Sequence, residues 1–242
     1  MTNAMFSSAS GMNAQQINLD VIADNLANAD VAGFKGSVAA FSDIRVPGSI
    51  GLGTVPVGTH LLFEQGKLMK SAGPFDVALD GPGFFVVRKG NEVAYTRAGS
   101  FERAADGTLR NAAGWRLDGV RIPDDAARID VRSDGAVTVD TRDRKAAAAG
   151  NVAVATFAAP ERLRSLGATL YAATREAGRA MRAAAGDDAP TRIAFGTLES
   201  SNVSIMASMM DILAAQRAYE ANSKGVQAAD EMLRIVNNLH RT

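Results

Sequence analysis

The sequence predicts an α+β protein, with a long helix at each end of the chain and a central all-β domain built as an antiparallel barrel or sandwich. Two observations lead to this fold class. Apolar residues keep helical spacing at both termini, and short β-prone runs divided by turn signals fill the middle. With 47% hydrophobic and 21% charged residues, the 242-residue chain has the composition of an ordinary folded protein.

The first predicted element is an amphipathic helix from Met5 to about Asn28. Its apolar residues recur at alternating intervals of four and three positions, with one interruption at Gln16. Ile22 is one of the residues that widen the resulting apolar stripe. This pattern makes the helix a candidate for a coiled coil. Its seam positions are Met5, Ala9, Met12, Leu19, Ala23 and Leu26.

The helix is expected to end in a turn within Asn25–Lys35. Asn28 and Asp30 tolerate a left-handed backbone conformation, and Gly33 adopts it freely. We expect this turn to present Phe34 as an exposed aromatic side chain. The alternative is a helix end with a loop packed on it and no function of its own.

Residues 35–66 are predicted to form an extended connecting segment. Within it, Val46–Gly58 is rich in glycine and proline among small apolar residues, a composition typical of extended chain or loop. Gly51-Leu52-Gly53 is not a dinucleotide-binding fingerprint, because no third glycine follows at the required offset and no helix pattern comes after it. We therefore expect no phosphate-binding loop in this segment.

The middle of the chain is predicted to be rich in β-strands. Phe84–Val87 and Val93–Thr96 flank a turn at Lys89–Asn91, and further candidate strands follow at intervals of about 8–12 residues. These strands predict a small antiparallel barrel or sandwich from Lys67 to about Ala159. Trp115 is expected to pack in its core or at its edge.

Two polar stretches follow the predicted strands. Arg142–Gly150 is expected to be an exposed connection. Glu161–Gly186 is dense in alanine and arginine, which is typical of either a basic helix for an acidic partner or a solvated surface. The solvated surface is favoured, because glycines interrupt the helical continuity.

The last predicted element is a second amphipathic helix, Asn202–Leu239, which contains no proline and a single glycine. At 1.5 Å per residue it would be roughly 55 Å long, so we expect it to need a partner helix. On pattern alone, both terminal helices could equally be core helices of one globule. The heptad series is Ile205, Ile212, Tyr219, Val226 and Leu233, with Ala215, Ala229 and Val236 three places after members of that series.

The composition argues against several functions. The absence of cysteine excludes disulfides, thiolate metal sites and thiol catalysis. The two histidines, His60 and His240, lie in no catalytic motif, so we expect no enzyme, no cofactor and no metal; a hydrolase near His60 is the remaining enzymatic alternative. Basic and acidic residues number 26 each without a basic cluster, which argues against nucleic acid. No Sec-type signal peptide or membrane-spanning run is expected.

Motifs at both ends carry a resemblance to a known family. Asn25–Asn28 with Gly33–Lys35 resembles the N-terminal signature of the bacterial flagellar rod and hook proteins, and Ser201–Val203 with Gln216–Lys224 resembles their C-terminal signature. Three segments between them are also similar to that family, so the resemblance covers nearly the whole chain. They are Asp80–Phe85, Tyr95–Phe101 and Gly196–Glu199.

The resemblance implies a structural subunit of the flagellar basal-body rod, most like the distal-rod type, with the proximal-rod type as the alternative. Residues 1–34 and 200–242 would pair as an antiparallel coiled coil at the core of a hollow helical polymer, with 67–199 as its outer domain. The implied partners are further copies, other rod and hook proteins, the flagellar type III export apparatus and ring or bushing proteins, without nucleic acid or small-molecule substrate. A soluble adaptor or chaperone-like binder is the alternative of another class.

The implied assembly surface combines both signatures and both heptad seams. It would lie in the basal body, in a rod spanning the periplasm or cell wall, after export of the chain. Its N-terminal members are Met12, Leu19, Ile22, Asn25, Leu26, Asn28, Gly33 and Phe34. Its C-terminal members are Ile205, Ile212, Gln216, Arg217, Tyr219, Asn222, Val226 and Leu233.

Overall fold

A computed structural model describes residues 2–44, 52–141 and 146–239, with side chains described for 3–44, 52–141 and 146–235. The chain divides into two compact units. The helical unit comprises residues 1–29, 37–62 and 203–242, and the β unit comprises residues 30–36 and 63–202. The backbone therefore crosses from one unit to the other four times.

The helical unit contains two α-helices and a β-hairpin. Helix α1 (Thr2–Ala27) and helix α2 (Ile205–Leu239) lie within a few residues of the predicted helices. Strands β1 (Ser37–Asp43) and β2 (Thr54–Leu61) pair antiparallel within the predicted connecting segment 35–66. Part of the predicted loop Val46–Gly58 thus belongs to β2, and its residues 46–51 lie outside the described part of the chain.

Side chains make hydrogen bonds at the C-terminal end of α1 and at the N-terminal end of α2. At the start of α2, the hydroxyl of Ser204 accepts a 3.4 Å hydrogen bond from the Ala207 N–H. At the end of α1, the side-chain amide of Asn28 donates to the Asp24 carbonyl at 2.8 Å, next to the 3.2 Å bond that the Asn28 backbone N–H makes to the same carbonyl. Among the described residues, no helix has the length and apolarity to span a membrane.

The β unit is built from short strands, sixteen of them in the described residues, and one 3₁₀ helix, Pro160–Arg162. Its strands are β3 (Leu68–Lys70), β4 (Val77–Asp80), β5 (Phe84–Lys89), β6 (Glu92–Thr96), β7 (Glu102–Arg103), β8 (Thr108–Arg110), β9 (Arg116–Arg121), β10 (Ala126–Val131), β11 (Ala136–Thr141), β12 (Ala147–Asn151), β13 (Val154–Thr156), β14 (Arg164–Gly167), β15 (Leu170–Ala172), β16 (Met181–Arg182), β17 (Arg192–Phe195) and β18 (Thr197–Glu199).

The strands of the main sheet follow the order β10-β11-β12-β9-β5-β6-β15-β14, and every pairing in it is antiparallel. The predicted hairpin around Lys89–Asn91 is confirmed as β5 and β6. Two further antiparallel pairs, β17 with β4 and β18 with β3, complete the unit. The described strands leave this path open at both ends, so the α+β class holds whereas closure into a barrel is not confirmed.

The core of the β unit lies under the central strands. Phe85 and Val87 of β5 are fully buried with Leu117 of β9 and Val137 of β11, and Trp115 is buried in the same cluster, as predicted. Alternation of buried and exposed residues along these strands is what a half-solvated antiparallel sheet requires.

Two polar stretches contribute more to the sheet than predicted. The predicted connection Arg142–Gly150 contains β12, which pairs with β11, and its residues 142–145 lie outside the described chain. The prediction that Glu161–Gly186 is only a solvated surface is wrong, because buried Leu170 and Tyr171 pair with β6 while the arginines stay exposed. Sequence alone misses such strands because pairing and burial, more than intrinsic propensity, stabilise them.

Candidate functional site

The two terminal helices pack antiparallel on each other, and glycine permits their close approach. A Cβ atom on Gly11 of α1 would lie 2.9 Å from the Asn222 side chain of α2. A Cβ atom on Gly225 would lie 2.9 Å from the Ser8 hydroxyl. Since the earlier residue of α1 meets the later residue of α2, the helices run in opposite directions. Both glycines are mid-helix, where glycine is otherwise unfavourable, and the close packing accounts for them.

Small residues form the seam between the helices. Among the described side chains of α2, the buried ones are Ser208, Ala215 and Ala229, which follow the heptad spacing, and half-buried Asn222 completes the series. From α1, Ala14 and Ile22 are buried. The heptad period is thus present, but the buried series is centred on small residues rather than on the large ones.

The large residues of the predicted seam of α2 divide into two groups. Ile212, Val226 and Leu233 are half-buried at the edges of the small-residue seam. Ile205 and Tyr219 are exposed in the single chain, at 43% and 38%. The remaining predicted positions of the C-terminal signature, Gln216 and Arg217, are also exposed, and the side chain of Val236 lies outside the described part.

The predicted residues of α1 lie closer to the rest of the helical unit. Met12, Leu19 and Leu26 are half-buried. Asn25 makes a reciprocal pair of hydrogen bonds with the backbone of Ser37, donating to its carbonyl at 2.7 Å and accepting from its N–H at 2.8 Å. Asn25 therefore fixes the start of β1 to α1, a role that its place in the N-terminal signature did not reveal.

A groove of about 470 Å³ opens between α1, α2 and β1 within the helical unit. Its walls are mixed in character, with amide and hydroxyl groups beside alanine and valine. It therefore presents hydrogen-bonding groups and apolar contacts together, without a concentration of titratable side chains. The polar residues lining it are Gln15, Asn18, Asn25, Ser37, Ser208 and Asp211.

The β unit contains a buried charged cluster, Lys35, Arg97 and Glu199, which we call the buried junction. The Lys35 ammonium lies 2.5 Å from Glu199 Oε1, and Arg97 Nη1 lies 3.4 Å from Glu199 Oε2. Lys35 and Glu199 are each 1% exposed. Two cations therefore share one carboxylate, out of contact with water.

Hydrogen bonds to backbone groups extend the buried junction, although the buried Arg97 Nε has no hydrogen-bond partner among the described residues. Lys35 Nζ donates to the Glu64 carbonyl at 2.6 Å, and the Gly66 N–H donates to Glu199 Oε1 at 2.8 Å. Arg97 Nη2 donates to the Gly81 carbonyl at 2.9 Å. Such hydrogen bonds are what make a buried ion pair tolerable, because each lone pair or proton removed from water needs a partner.

The buried junction ties together the three segments of the β unit next to the chain crossings, 30–36, 63–66 and 199–202. The Gly33 N–H donates to the Glu199 carbonyl at 2.7 Å, and the Gly36 N–H donates to Asn202 Oδ1 at 2.8 Å. The three segments that lead to the helical unit are therefore linked to one another by hydrogen bonds within the β unit.

The turn predicted to expose Phe34 instead belongs to this arrangement. Gly33 is buried with a φ of 70°, and a Cβ atom there would collide with the backbone of Arg97 and Ala98. Phe34 is half-buried rather than exposed. Gly33 is thus required both by its left-handed conformation and by the close approach of a second chain segment.

Burial acts on the protonation of both cations. Loss of hydration lowers the pKa of Lys35, and the hydrogen bond and charge of Glu199 oppose that shift. Burial lowers the pKa of Arg97 in the same way, again opposed by Glu199. The Glu199 carboxylate therefore favours the charged form of both buried cations.

The sequence alone does not show that these three residues contact one another. Lys35, Arg97 and Glu199 stand in three separate motifs that carry the family resemblance. A cation and a carboxylate within two distant glycine-containing motifs could have suggested a buried pair, but only a contact map identifies the partners.

The described residues bring no metal-binding cluster together. They contain no group of three or more His, Asp or Glu side chains placed to hold a metal ion. His60 lies half-buried on β2, opposite Val38, and His240 lies outside the described part. The arrangement instead offers packing surfaces on the helices and a buried, hydrogen-bonded junction.

Three protein-family models match successive parts of the chain. The model for the flagella basal body rod protein matches residues 5–35. The model for the D1 domain of the flagellar hook protein FlgE/F/G matches residues 78–139, and the model for the C-terminal part of the flagellar basal body rod FlgEFG protein matches residues 195–239. These matches contain most of α1, all of α2 and the part of the main sheet from β5 into β11.

Curated relatives match over the full length. The flagellar basal-body rod protein FlgG of Borreliella burgdorferi is 34% identical over 100% of both chains, and that of Buchnera aphidicola subsp. Schizaphis graminum is 33% identical over 99% of this chain and 100% of its own. The flagellar hook protein FlgE of Rhizobium meliloti is 35% identical over only 55% of this chain and 37% of its own length.

Proposed function

Since the chain belongs to the family of flagellar basal-body rod proteins, we propose that it is a structural subunit of the distal rod. It polymerises into a hollow helical shaft that transmits torque and encloses the export channel. The observation that carries this proposal is full-length similarity to rod proteins named FlgG, set against a partial match to a hook protein.

In this proposal the helical unit is the inner wall of the shaft, and its helices form coiled-coil contacts within and between subunits. The small-residue seam supports the intrachain part, because it holds α1 and α2 close together. Large apolar residues such as Met206 and Met210 then remain for neighbouring subunits. Contiguous exposed apolar surface of this kind marks interaction sites.

The buried junction gives the β unit a mechanical role. Torque that enters one unit reaches the other through the four chain crossings. Because Lys35, Glu199 and Asn202 tie those crossings together inside the β unit, load is shared among them. Load sharing of this kind suits a subunit of a rotating shaft.

The proposed partners are further copies of this chain and the adjoining rod and hook proteins. The flagellar type III export apparatus would deliver the chain, and ring or bushing proteins would surround the finished rod. A proximal-rod position is the alternative within the family. No enzymatic role is proposed, because the function rests on assembly surfaces.

The test is made in the organism that encodes the chain. Deletion of residues 203–242 should abolish rods, hooks and motility, because α2 supplies both the intrachain seam and the outer apolar face. The matched control, Glu92→Gln on an exposed strand position, should leave motility intact. Normal rods in the deletion strain would refute the proposal.

A soluble adaptor is the second candidate, and one observation favours it: α1 and α2 already pair within a single chain. An adaptor has no need of the exposed apolar face of α2, whereas a rod subunit does. Purified basal bodies separate the two. The rod subunit should be a stoichiometric component of their axial structure, and an adaptor should be absent from it.

A further inference from the structure

The side of α2 that points away from α1 begins with three methionines. Met206, Met209 and Met210 are 78%, 53% and 69% exposed. At 3.6 residues per turn they lie on one side of the helix, and the buried seam residue Ser208 lies on the other. We call this side the outer face of α2 and the three residues the methionine cluster. Met206 and Met210 are the two most exposed methionines among the described residues.

The methionine cluster lies in a stretch of α2 that is nearly without charge. Residues 203–216 contain a single charged side chain, Asp211, and neither lysine nor arginine. Leu213 continues the outer face after the cluster and is 56% exposed. The surface around the three thioethers is therefore apolar, and no cationic side chain of this segment can donate a hydrogen bond to an oxygen atom added there.

Exposed thioethers react with peroxides. The lone pair of the sulfur attacks one oxygen of hydrogen peroxide, an S–O bond forms, the O–O bond breaks, and the second oxygen leaves as water. The sulfur is oxidised by two electrons, and the product is methionine sulfoxide, a polar side chain in place of an apolar one. Because the chain contains no cysteine, its thioethers are its only sulfur groups that can be oxidised.

From these observations we infer that the methionine cluster is an oxidation site, and that its oxidation by a peroxide prevents the free subunit from joining the rod. The inference rests on the proposed rod function, in which neighbouring subunits cover the outer face of α2. A thioether loses no strong hydrogen bond when it is covered, whereas a sulfoxide oxygen has to leave water for an apolar contact without a partner. The free subunit is therefore the sensitive form, and assembly protects the cluster.

Oxidation footprinting compares the free and the assembled form of the wild-type chain. The purified chain and isolated basal bodies receive the same concentration of hydrogen peroxide, and peptide mass spectrometry measures the sulfoxide at each methionine. In the free chain, Met206 and Met210 should be oxidised faster than the half-buried Met12 of α1. In basal bodies, sulfoxide formation at the cluster should be lost, because neighbouring subunits exclude the peroxide.

A peroxide pulse during synthesis tests the effect on assembly. A strain without the chromosomal gene expresses the chain from an inducible promoter, and hook-bearing basal bodies are counted with and without the pulse. For the wild type the pulse should lower the count at least about tenfold, because one polar group covered without a partner costs that factor in association. The ratio of the two counts is compared between strains, so a variant's own level of assembly cancels.

Two variants locate the sensitivity. The triple variant Met206→Leu, Met209→Leu and Met210→Leu keeps the cluster apolar and removes its sulfur, so its count should be nearly the same with and without the pulse. The control Met69→Leu with Met181→Leu removes two methionines of the β unit that are 55% and 56% exposed. It should lose as much assembly in the pulse as the wild type does.

Glutamine imitates the sulfoxide without any oxidant, because it places a polar group of similar size at the same positions. The triple glutamine variant of the cluster should form no rods. Its purified monomer should melt like the wild type, since all three side chains are exposed.

Three results would overturn the inference while leaving the chain a rod subunit. They are normal rods from the triple glutamine variant, equal peroxide sensitivity of the triple leucine variant and the wild type, and equal oxidation of the cluster in basal bodies and in the free chain. Absence of the wild-type chain from basal bodies would instead refute the rod function itself.

Discussion

Glu199→Gln should destabilise the β unit severely, because it removes the carboxylate that both buried cations contact. The substitution keeps the size of the side chain, yet Lys35 and Arg97 lose their counter-charge at 2.5 and 3.4 Å. Breaking a buried pair by removing one partner costs about 3–5 kcal/mol. For a chain of this size that loss lowers the melting temperature by roughly 6–20 °C.

The assay is urea unfolding followed by fluorescence of Trp115, the single tryptophan, which is buried in the β unit. The control Glu92→Gln removes an exposed carboxylate from the same unit and should change stability by no more than about 0.5 kcal/mol. If Glu199→Gln lost less than about 1 kcal/mol, the description of Glu199 as the balancing charge would be refuted.

The pH dependence of the stability lost in Glu199→Gln gives a second readout. Burial lowers the pKa of Lys35 below 10.5, and loss of Glu199 removes the contacts that oppose the shift. Between the folded pKa and 10.5 the unfolded chain binds more protons than the folded one, so stability rises with pH in that window. The window extends to lower pH in the variant, and its deficit should therefore shrink between pH 7 and pH 10. A constant deficit would mean that Lys35 does not respond to Glu199.

Three further predictions address other parts of the chain. Hydrogen bonds from the hydroxyl and N–H of Thr108 lower the pKa of Asp106 to about 2. Carboxyl NMR should find that pKa, and Thr108→Val should raise it toward 3.8. The stabilisation of the folded state by these hydrogen bonds is present above pH 4 and is lost as the pH falls toward 2. Gly225→Leu should overpack the seam against Ser8 and cost about 1–3 kcal/mol in a circular dichroism melt of the helices. Tyr219→Ala should change monomer stability by no more than about 0.5 kcal/mol because its side chain is exposed, yet reduce rod assembly.

Each of these predictions has an opposing outcome. An unchanged pKa of Asp106 in Thr108→Val would remove the hydroxyl as its cause. The control for Gly225→Leu is Ala228→Leu, because Ala228 is exposed on α2. Equal melting temperatures of the two variants would contradict the close packing of α1 and α2 at Gly225. Unimpaired assembly with a destabilised Tyr219→Ala monomer would place that side chain in the intrachain seam.

The sequence predicts the helices well because their period is local. The predicted Met5–Asn28 and Asn202–Leu239 differ from α1 and α2 by at most three residues at each end. The inward face was not predictable in the same way. The heptad pattern predicts that large apolar residues form the contact between the helices. Gly11 and Gly225 instead allow α1 and α2 to approach so closely that small residues form the seam.

The β unit shows where local reasoning stops. The hairpin of β5 and β6 was predictable because its turn and both strands are adjacent in sequence. The pairing of β15 with β6 joins residues more than 70 positions apart, and no local signal specifies it. The same applies to Lys35 and Glu199, whose partnership spans 164 positions.

The central claim is that the helical unit forms the inner wall of a rod while the β unit lies outside it. A cryo-electron microscopy map of basal bodies from the organism that encodes this chain tests it most directly. The proposal predicts continuous density for α1 and α2 around the central channel of the distal rod, with the outer face of α2 covered by neighbouring subunits. Density that places these helices on the outer surface, or a distal rod built without this chain, would contradict it.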